Sequence, residues 1–125
     1  MPSYLNSYGY ILTTILLTVY GQLILKWRVT QLGPLPEGFK DKSLFLILLV
    51  LDPFILSGYV AAFIAALSWT AALSRFDLNF AYPFMSLSYV LVLILSNWLL
   101  SEPLTAGRAL GVGLIVVGTV VASRG

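Results

Sequence analysis

The chain has 125 residues, of which 59% are hydrophobic and 10% charged, and its mean hydropathy is +0.95. A soluble domain of this length exposes far more charge, so we expect a single all-α domain (residues 1–125) that lies within a membrane. The net charge of +2 is too small to indicate a nucleic-acid partner. Because Cys and His are absent from the sequence, disulfides, thiolate chemistry and the common zinc sites are excluded.

Polar side chains recur every four residues in the first hydrophobic segment, which is predicted to span the membrane from about residue 8 to residue 27. They are Tyr10, Thr14, Thr18, Gln22 and Lys26. On an α-helix this spacing advances about 400° per step, so the five side chains form one slowly drifting stripe. A Lys near the centre of a membrane helix costs about 2.5–3.5 kcal/mol. The stripe is therefore expected to face other helices or a hydrated cavity, and its cationic end suggests an anionic cargo.

Lys26 allows two interpretations, since it precedes Trp27 near a membrane boundary. Its ammonium either extends into water at the interface or binds a phosphate at the mouth of the cavity. Gln22 lies one turn deeper and cannot reach the interface, so its amide must find a polar partner inside the protein.

The region after the first span is predicted to contain a loop and a short helix. The loop runs from Arg28 to Lys42, and Gly33–Gly38 breaks any helix within it. The apolar stretch 44–73 would reach about 45 Å as one helix, too long for an untilted span. The pair Asp52-Pro53 suits a helix start, so a second span is expected over 53–73, after a short interfacial helix at 44–51. The alternative is one long tilted helix with a kink at Pro53.

Two further spans are predicted at about 78–100 and 104–122. Asp77 and Ser101 are expected to cap them. Because the connections are short, spans two, three and four should be antiparallel neighbours.

Charges and tryptophans indicate how the spans sit in the bilayer. Five cations on one side against two on the other predict that both termini lie outside the cytoplasm. The cations are Lys26, Arg28, Lys40, Lys42 and Arg108 on one side, and Arg75 and Arg124 on the other. The tryptophans Trp27, Trp69 and Trp98 lie near predicted span ends, as interfacial anchors do.

The third span carries hydroxyl groups on one helical face: Tyr82, Ser86, Tyr89 and Ser96. Pro83 can bend this helix and leave backbone carbonyls free for other partners. One interpretation is a cavity wall suited to a sugar or phosphate, and the other is ordinary helix packing. Together with the stripe of the first span, this face predicts substrate binding by Thr14, Thr18, Gln22, Lys26, Tyr82, Ser86 and Tyr89.

Small residues recur in the fourth span at Gly107, Gly111 and Gly118. Such spacing lets helix backbones approach closely in a membrane. Four short spans enclose too little volume for a sizeable solute, so this face is predicted to form a dimer interface. The alternative is packing within the monomer.

No enzymatic site can be assembled from the sequence, because it offers no paired carboxylates, metal-ligand cluster or nucleophile with its base. No catalytic residue, metal or cofactor is therefore predicted. Glu102, which precedes Pro103, is either a solvated turn residue or a proton carrier.

Several motifs resemble a known family. They are Gly21-Gln22 with Lys26-Trp27, the run Asp77–Tyr89 with its Ala-Tyr-Pro and Ser-Leu-Ser-Tyr elements, Glu102-Pro103 and the Gly-rich last span. Together they resemble the four-helix branch of the drug/metabolite transporter superfamily, and most of all the EamA-like subunits that flip aminoarabinose-phosphoundecaprenol in Gram-negative inner membranes. Small multidrug resistance proteins are more distantly similar. Those carry a Glu in the first span where this chain has Thr18, and a neutral Thr cannot exchange protons.

The resemblance implies a multi-pass inner-membrane protein that contacts membrane lipid. It implies a homodimer, or a heterodimer with a related four-helix subunit, that moves an anionic polyprenyl-phosphate sugar between leaflets. The headgroup would cross a polar groove while the isoprenoid tail stays in the bilayer. Two alternatives remain at this point: export of amphiphilic or cationic small molecules, and an accessory role in a glycosyltransferase system.

Overall fold

The computed structural model describes residues 3–125, with side chains from Ser7 onward. Every regular element in that range is an α-helix, which confirms the all-α prediction. The helices are α1 (Ser3–Leu32), α2 (Phe39–Val50), α3 (Pro53–Leu73), α4 (Leu78–Leu99) and α5 (Ala106–Arg124). Four of them, all except α2, are long and apolar enough to cross a membrane.

The start of α3 follows directly from the pair Asp52-Pro53. Asp52 has an extended backbone, and its Oδ1 accepts hydrogen bonds from the N–H groups of Phe54 (3.0 Å) and Ile55 (3.3 Å). Pro53 has no N–H to satisfy at the first helical position. The break at this pair separates α2 from α3, so the alternative of one long kinked helix is wrong.

The first span is longer than the sequence suggested, because α1 continues through Arg28 to Leu32. The predicted loop from Arg28 to Lys42 is therefore wrong over most of its length. Only Gly33–Gly38 separates α1 from α2, and Gly33 takes the left-handed backbone with φ +94° that favours glycine. The short helix accordingly begins at Phe39, five residues before the predicted start.

The turn between α4 and α5 also differs from expectation, since Ser101 does not cap α5. Ser101 lies just beyond α4 with a left-handed backbone, φ 57°. Thr105 is the N-cap, and its Oγ1 accepts a hydrogen bond from the N–H of Arg108 at 3.2 Å. Asp77 is the N-cap of α4, as predicted, although its side chain makes no capping hydrogen bond.

The helix α1 is the centre of the fold, because it packs on both α3 and α4. It runs antiparallel to α3: Thr14 lies near Ala65, and Arg28 is bonded to Asp52. By contrast, α3 and α4 share few contacts although a short turn joins them. The two helices diverge, so only α4 and α5 behave as the closely packed antiparallel neighbours that the sequence predicts.

The main apolar core lies along the α1–α4 side. Its buried residues are Ile11, Ile15, Val19, Ala72 and Ala81. An aromatic cluster closes the end of this core near the α3–α4 turn, where the ring of Tyr8 lies 4.9 Å from that of Phe76. The core therefore fixes the start of α4 against the start of α1.

The outermost helix, α5, packs only on α4 within the described part of the chain. Its one buried residue is Thr119, whose hydroxyl donates a hydrogen bond to the carbonyl of Pro83 at 3.3 Å. Most of the α5 surface is consequently left uncovered by the other described helices.

The helices α1 and α3 approach each other closely at Gly21 and Gly58. A Cβ at Gly21 would lie 3.1 Å from the carbonyl oxygen of Gly58, and a Cβ at Gly58 would lie 2.9 Å from Cγ2 of Ile24. A Cβ at either position would force these neighbours to shift, so glycine favours the close approach of the two backbones, as in other small-residue crossings of membrane helices.

We expect Gly58→Leu to destabilise the protein by about 1–3 kcal/mol, because the new side chain forces α1 and α3 apart. The matched control is Gly113→Leu, since a Cβ at Gly113 meets no heavy atom within 4 Å. Thermal unfolding in detergent measures both. Equal melting temperatures for the two variants would contradict this account of the crossing.

Candidate functional site

A groove of about 310 Å³ lies between α3 and α4, with α1 as its floor. It exists because α3 and α4 both pack on α1 but diverge from each other. Its lining residues are Thr14, Thr18, Gly21, Gln22, Leu25, Gly58, Ala62, Ala65, Ala66, Trp69, Tyr82 and Met85. The groove thus brings together four of the seven residues predicted to bind substrate: Thr14, Thr18, Gln22 and Tyr82.

The polar groups of the groove differ in whether they already have hydrogen-bond partners within the protein. Thr14 is buried, and its hydroxyl donates to the carbonyl of Tyr10 at 2.7 Å and approaches that of Ala65 at 3.4 Å. Thr18 is half-buried and Gln22 exposed, and within residues 7–125 neither side chain has a hydrogen-bond partner. Thr18 and Gln22 therefore remain available to a polar group that enters the groove.

Small residues that were not predicted from the sequence make room for the groove. Ala62, Ala65 and Ala66 form much of the α3 wall, and two of the three pairs of consecutive alanines in α3, 61–62 and 65–66, were the available signal. Trp69, predicted only as an interfacial anchor, lines the groove and meets Tyr82 edge-to-face at 6.1 Å between ring centroids.

The two end residues of the polar stripe, Tyr10 and Lys26, do not line the groove. Tyr10 is 41% exposed and outside the lining. Lys26 lies in a separate pocket of about 420 Å³ at the C-terminal end of α4, which we call the polar pocket. Its lining residues are Lys26, Trp27, Thr30, Gln31, Leu99, Leu100, Ser101 and Glu102. The drift of about 40° per step explains the separation, since it carries the stripe around α1.

The remaining predicted site residues, Ser86 and Tyr89, lie outside the groove lining. Ser86 is half-buried and Tyr89 is 48% exposed. Ser96, on the same face, is buried and donates a hydrogen bond to the carbonyl of Leu93 at 3.2 Å. For Ser96 the packing interpretation therefore holds.

Arg28 is engaged in a structural ion pair. Its Nη2 and Nε both lie 2.9 Å from Oδ2 of Asp52, and its guanidinium lies over the ring of Phe54. The hydrogen bond from Arg28 holds the pKa of the Asp52 carboxyl below its usual range. Lys26, by contrast, is exposed and has no ion-pair partner in the part of the chain whose side chains are described.

Comparison with known proteins agrees with this architecture. The model of the EamA-like transporter family matches residues 2–124. The chain belongs to this family. Four helices able to span a membrane around a groove are the arrangement expected of a small transporter subunit. No solved structure matches the chain.

Proteins similar to this chain include several probable 4-amino-4-deoxy-L-arabinose-phosphoundecaprenol flippase subunits ArnF. The protein from Aeromonas hydrophila is 40% identical over 121 residues, which cover 95% of this chain and 80% of the relative. That from Erwinia tasmaniensis is 37% identical over 112 residues, 86% of each chain. That from Pseudomonas aeruginosa is 34% identical over 109 residues, 86% of this chain and 77% of the relative.

The hydration of the groove can be tested with single cysteines, because the natural chain has none. We expect Thr18→Cys and Gln22→Cys to react with a membrane-impermeant maleimide, since water must reach unpartnered polar groups. The control is Val60→Cys, because Val60 is 51% exposed on α3 but absent from the groove lining. If Thr18→Cys and Gln22→Cys were labelled as slowly as Val60→Cys, lipid and not water would fill the groove.

Proposed function

We propose that this chain is a subunit of an inner-membrane flippase for an aminoarabinose-phosphoundecaprenol-like lipid. The observation that carries the proposal is the pair of uncommitted polar side chains, Thr18 and Gln22, inside a groove between spanning helices. The names of the family members that match most of the chain point to the same substrate.

A groove of this kind suits a lipid with a polar headgroup. A sugar that crosses hydrocarbon loses its hydrogen bonds to water, and each unsatisfied group costs several kcal/mol. Thr18, Gln22 and the Tyr82 hydroxyl offer replacement bonds along the groove. The isoprenoid tail can stay among the lipid chains, so a small protein need not enclose its cargo.

Lys26 suits the phosphate of such a lipid. It lies one helical turn beyond Gln22, its charge is not neutralised within the described side chains, and it is exposed in the polar pocket. An ammonium forms strong charge-assisted hydrogen bonds with phosphate oxygens. Arg28, the next cation along α1, is less suitable because it already binds Asp52.

Export of cationic drugs in exchange for protons fits the chain less well. That mechanism requires a carboxylate within the spans that binds and releases protons, and the position expected for it holds the neutral Thr18. The five acidic residues of the sequence all lie outside the four candidate spans.

In this proposal α2 lies in the membrane interface. Its 12 residues would reach about 18 Å, which is too short to span a bilayer. None of them is buried in the protein, and Lys40 and Lys42 near its start could face lipid headgroups.

We expect native mass spectrometry of the detergent-extracted protein to detect a bound anionic polyprenyl-phosphate sugar. Lys26→Ala should lower its occupancy at least about tenfold, the effect of one charge-assisted hydrogen bond. Lys42→Ala is the matched control for loss of a cation. Binding of lipophilic cations with proton release would instead support a drug exporter, and binding of neither ligand would support an accessory subunit.

The chain works as a dimer in this proposal, with α5 at the interface. Positions that a Cβ would occupy at Gly111 and Gly118 meet no heavy atom within 4 Å, so in the described chain this face packs on no other helix. A second four-helix subunit, identical or related, could cover it through small-residue packing.

We expect Gly111→Leu to shift the protein from dimer toward monomer, because the side chain blocks close approach of two α5 helices. Cross-linking in membranes measures the ratio. Gly113→Leu is the control, since Gly113 projects from another side of α5. An unchanged dimer fraction in Gly111→Leu would exclude this face from the interface.

A further inference from the structure

A second cavity adjoins the polar pocket at the C-terminal ends of α1 and α4. We call it the apolar pocket; it has a volume of about 350 Å³. Its lining residues are Tyr20, Leu23, Ile24, Trp27, Leu99 and Leu100. The two pockets share Trp27, Leu99 and Leu100, and neither shares a residue with the groove. A polar and an apolar compartment with a common wall form a site for an amphiphile.

The polar pocket contains one charge of each sign. Lys26 and Glu102 both line it, yet no ion pair within 4.0 Å joins them, and among residues 7–125 neither has another charged partner. Two opposite charges that face one pocket without meeting are complementary to a ligand that carries both signs.

The backbone around Glu102 is held in place by hydrogen bonds that do not use its carboxylate. Its N–H donates to the carbonyl of Ser96 at 3.2 Å, and its carbonyl accepts from Nδ2 of Asn97 at 2.7 Å. Arg108 donates from Nη1 to the carbonyl of Pro103 at 3.1 Å, so this nearby cation is engaged with backbone. The Glu102 carboxylate is thus left free on a fixed turn.

The depth of the polar pocket in the membrane also suits a lipid headgroup. The polar pocket lies where α1 passes Trp27 and where α4 ends, beyond the apolar length of that span. Tryptophans favour the membrane interface, the level at which the phosphate of a membrane lipid lies. The apolar pocket extends from this level back along α1, from Trp27 toward Tyr20.

We propose that these two pockets bind a polyprenyl-phosphate amino sugar before or after it crosses the groove. Lys26 binds the phosphate, Glu102 binds the protonated amine of the sugar, and the apolar pocket holds the first isoprene units. This inference rests on the proposed flippase function and adds to it a residue for specificity. Glu102 distinguishes an amino sugar from a neutral sugar, because only the former repays desolvation of the carboxylate.

The test compares two synthetic lipids on the full-length protein in nanodiscs: 4-amino-4-deoxyarabinose-phosphoundecaprenol and its N-acetylated analogue, which lacks the positive charge. We expect the parent protein to bind the amino lipid about tenfold more tightly, the effect of one charge-assisted hydrogen bond. In Glu102→Gln the ratio should fall to about one, with binding of the acetylated lipid unchanged. Lys26→Ala should weaken the binding of both lipids equally.

Control measurements distinguish a specific role of the Glu102 carboxylate from other effects of the substitution. Glu37→Gln, which removes an exposed carboxylate from the α1–α2 connection, should keep the tenfold preference. Glu102→Gln should keep the parent melting temperature, because the bonds of the turn use the backbone of residue 102. If Glu102→Gln retains the preference, or if the parent binds both lipids equally, the role of Glu102 is wrong while the flippase function stands. If the parent binds neither lipid, the proposed function itself fails.

Discussion

The close crossing of α1 and α3 at Gly21 and Gly58 is the constraint on which the remaining structure depends. With no side chain at either position, the backbones meet, and α1 can pack on α3 along one side and on α4 along another. In a bilayer, apolar burial drives helix association only weakly, so such close backbone contact supplies much of the attraction. The Arg28–Asp52 ion pair fastens the same two helices near the end of α1.

The groove is a direct consequence of this arrangement. Because α3 and α4 both lie against α1 while having few contacts with each other, the space between them is lined by α1 side chains. Alanines on α3 keep that space wide, and Thr18 and Gln22 give it polar groups that have no hydrogen-bond partner among the side chains and backbone of residues 7–125. Uncharged hydroxyl and amide groups thus line the groove, whereas Lys26 and Glu102 line the separate polar pocket.

Much of this could be predicted from local sequence. Asp52-Pro53 predicted the start of α3, because capping and the missing proline N–H act within a few residues. The four-residue spacing of Thr14, Thr18 and Gln22 predicted their common face. The family inferred from the motifs agrees with the matched family model. The extension of α1 to Leu32 was missed, since Arg28, Thr30 and Gln31 make the last part of this helix resemble a loop by composition.

What the sequence did not reveal depends on three-dimensional packing. The Gly21–Gly58 contact joins residues on two helices, and neither glycine has a pattern of its own that predicts its partner. The separation of Lys26 from the groove results from the drift of the stripe, which the four-residue spacing indicates, and from where α4 ends, which that spacing does not show. Likewise, the sequence left Glu102 as either a solvated turn residue or a proton carrier, and only the structure shows that it lines the same pocket as Lys26.

The single attachment of α5 has a mechanical consequence. Among the described residues α5 contacts only α4, and its buried Thr119 donates a hydrogen bond to the carbonyl of Pro83, so a displacement of α5 reaches the groove through α4 alone. Pro83 also lacks the N–H that would hold the preceding turn, so α4 is easiest to bend beside Tyr82, at the groove wall. A molecule that binds to α5 can thereby change the width of the groove without contacting the residues that line it.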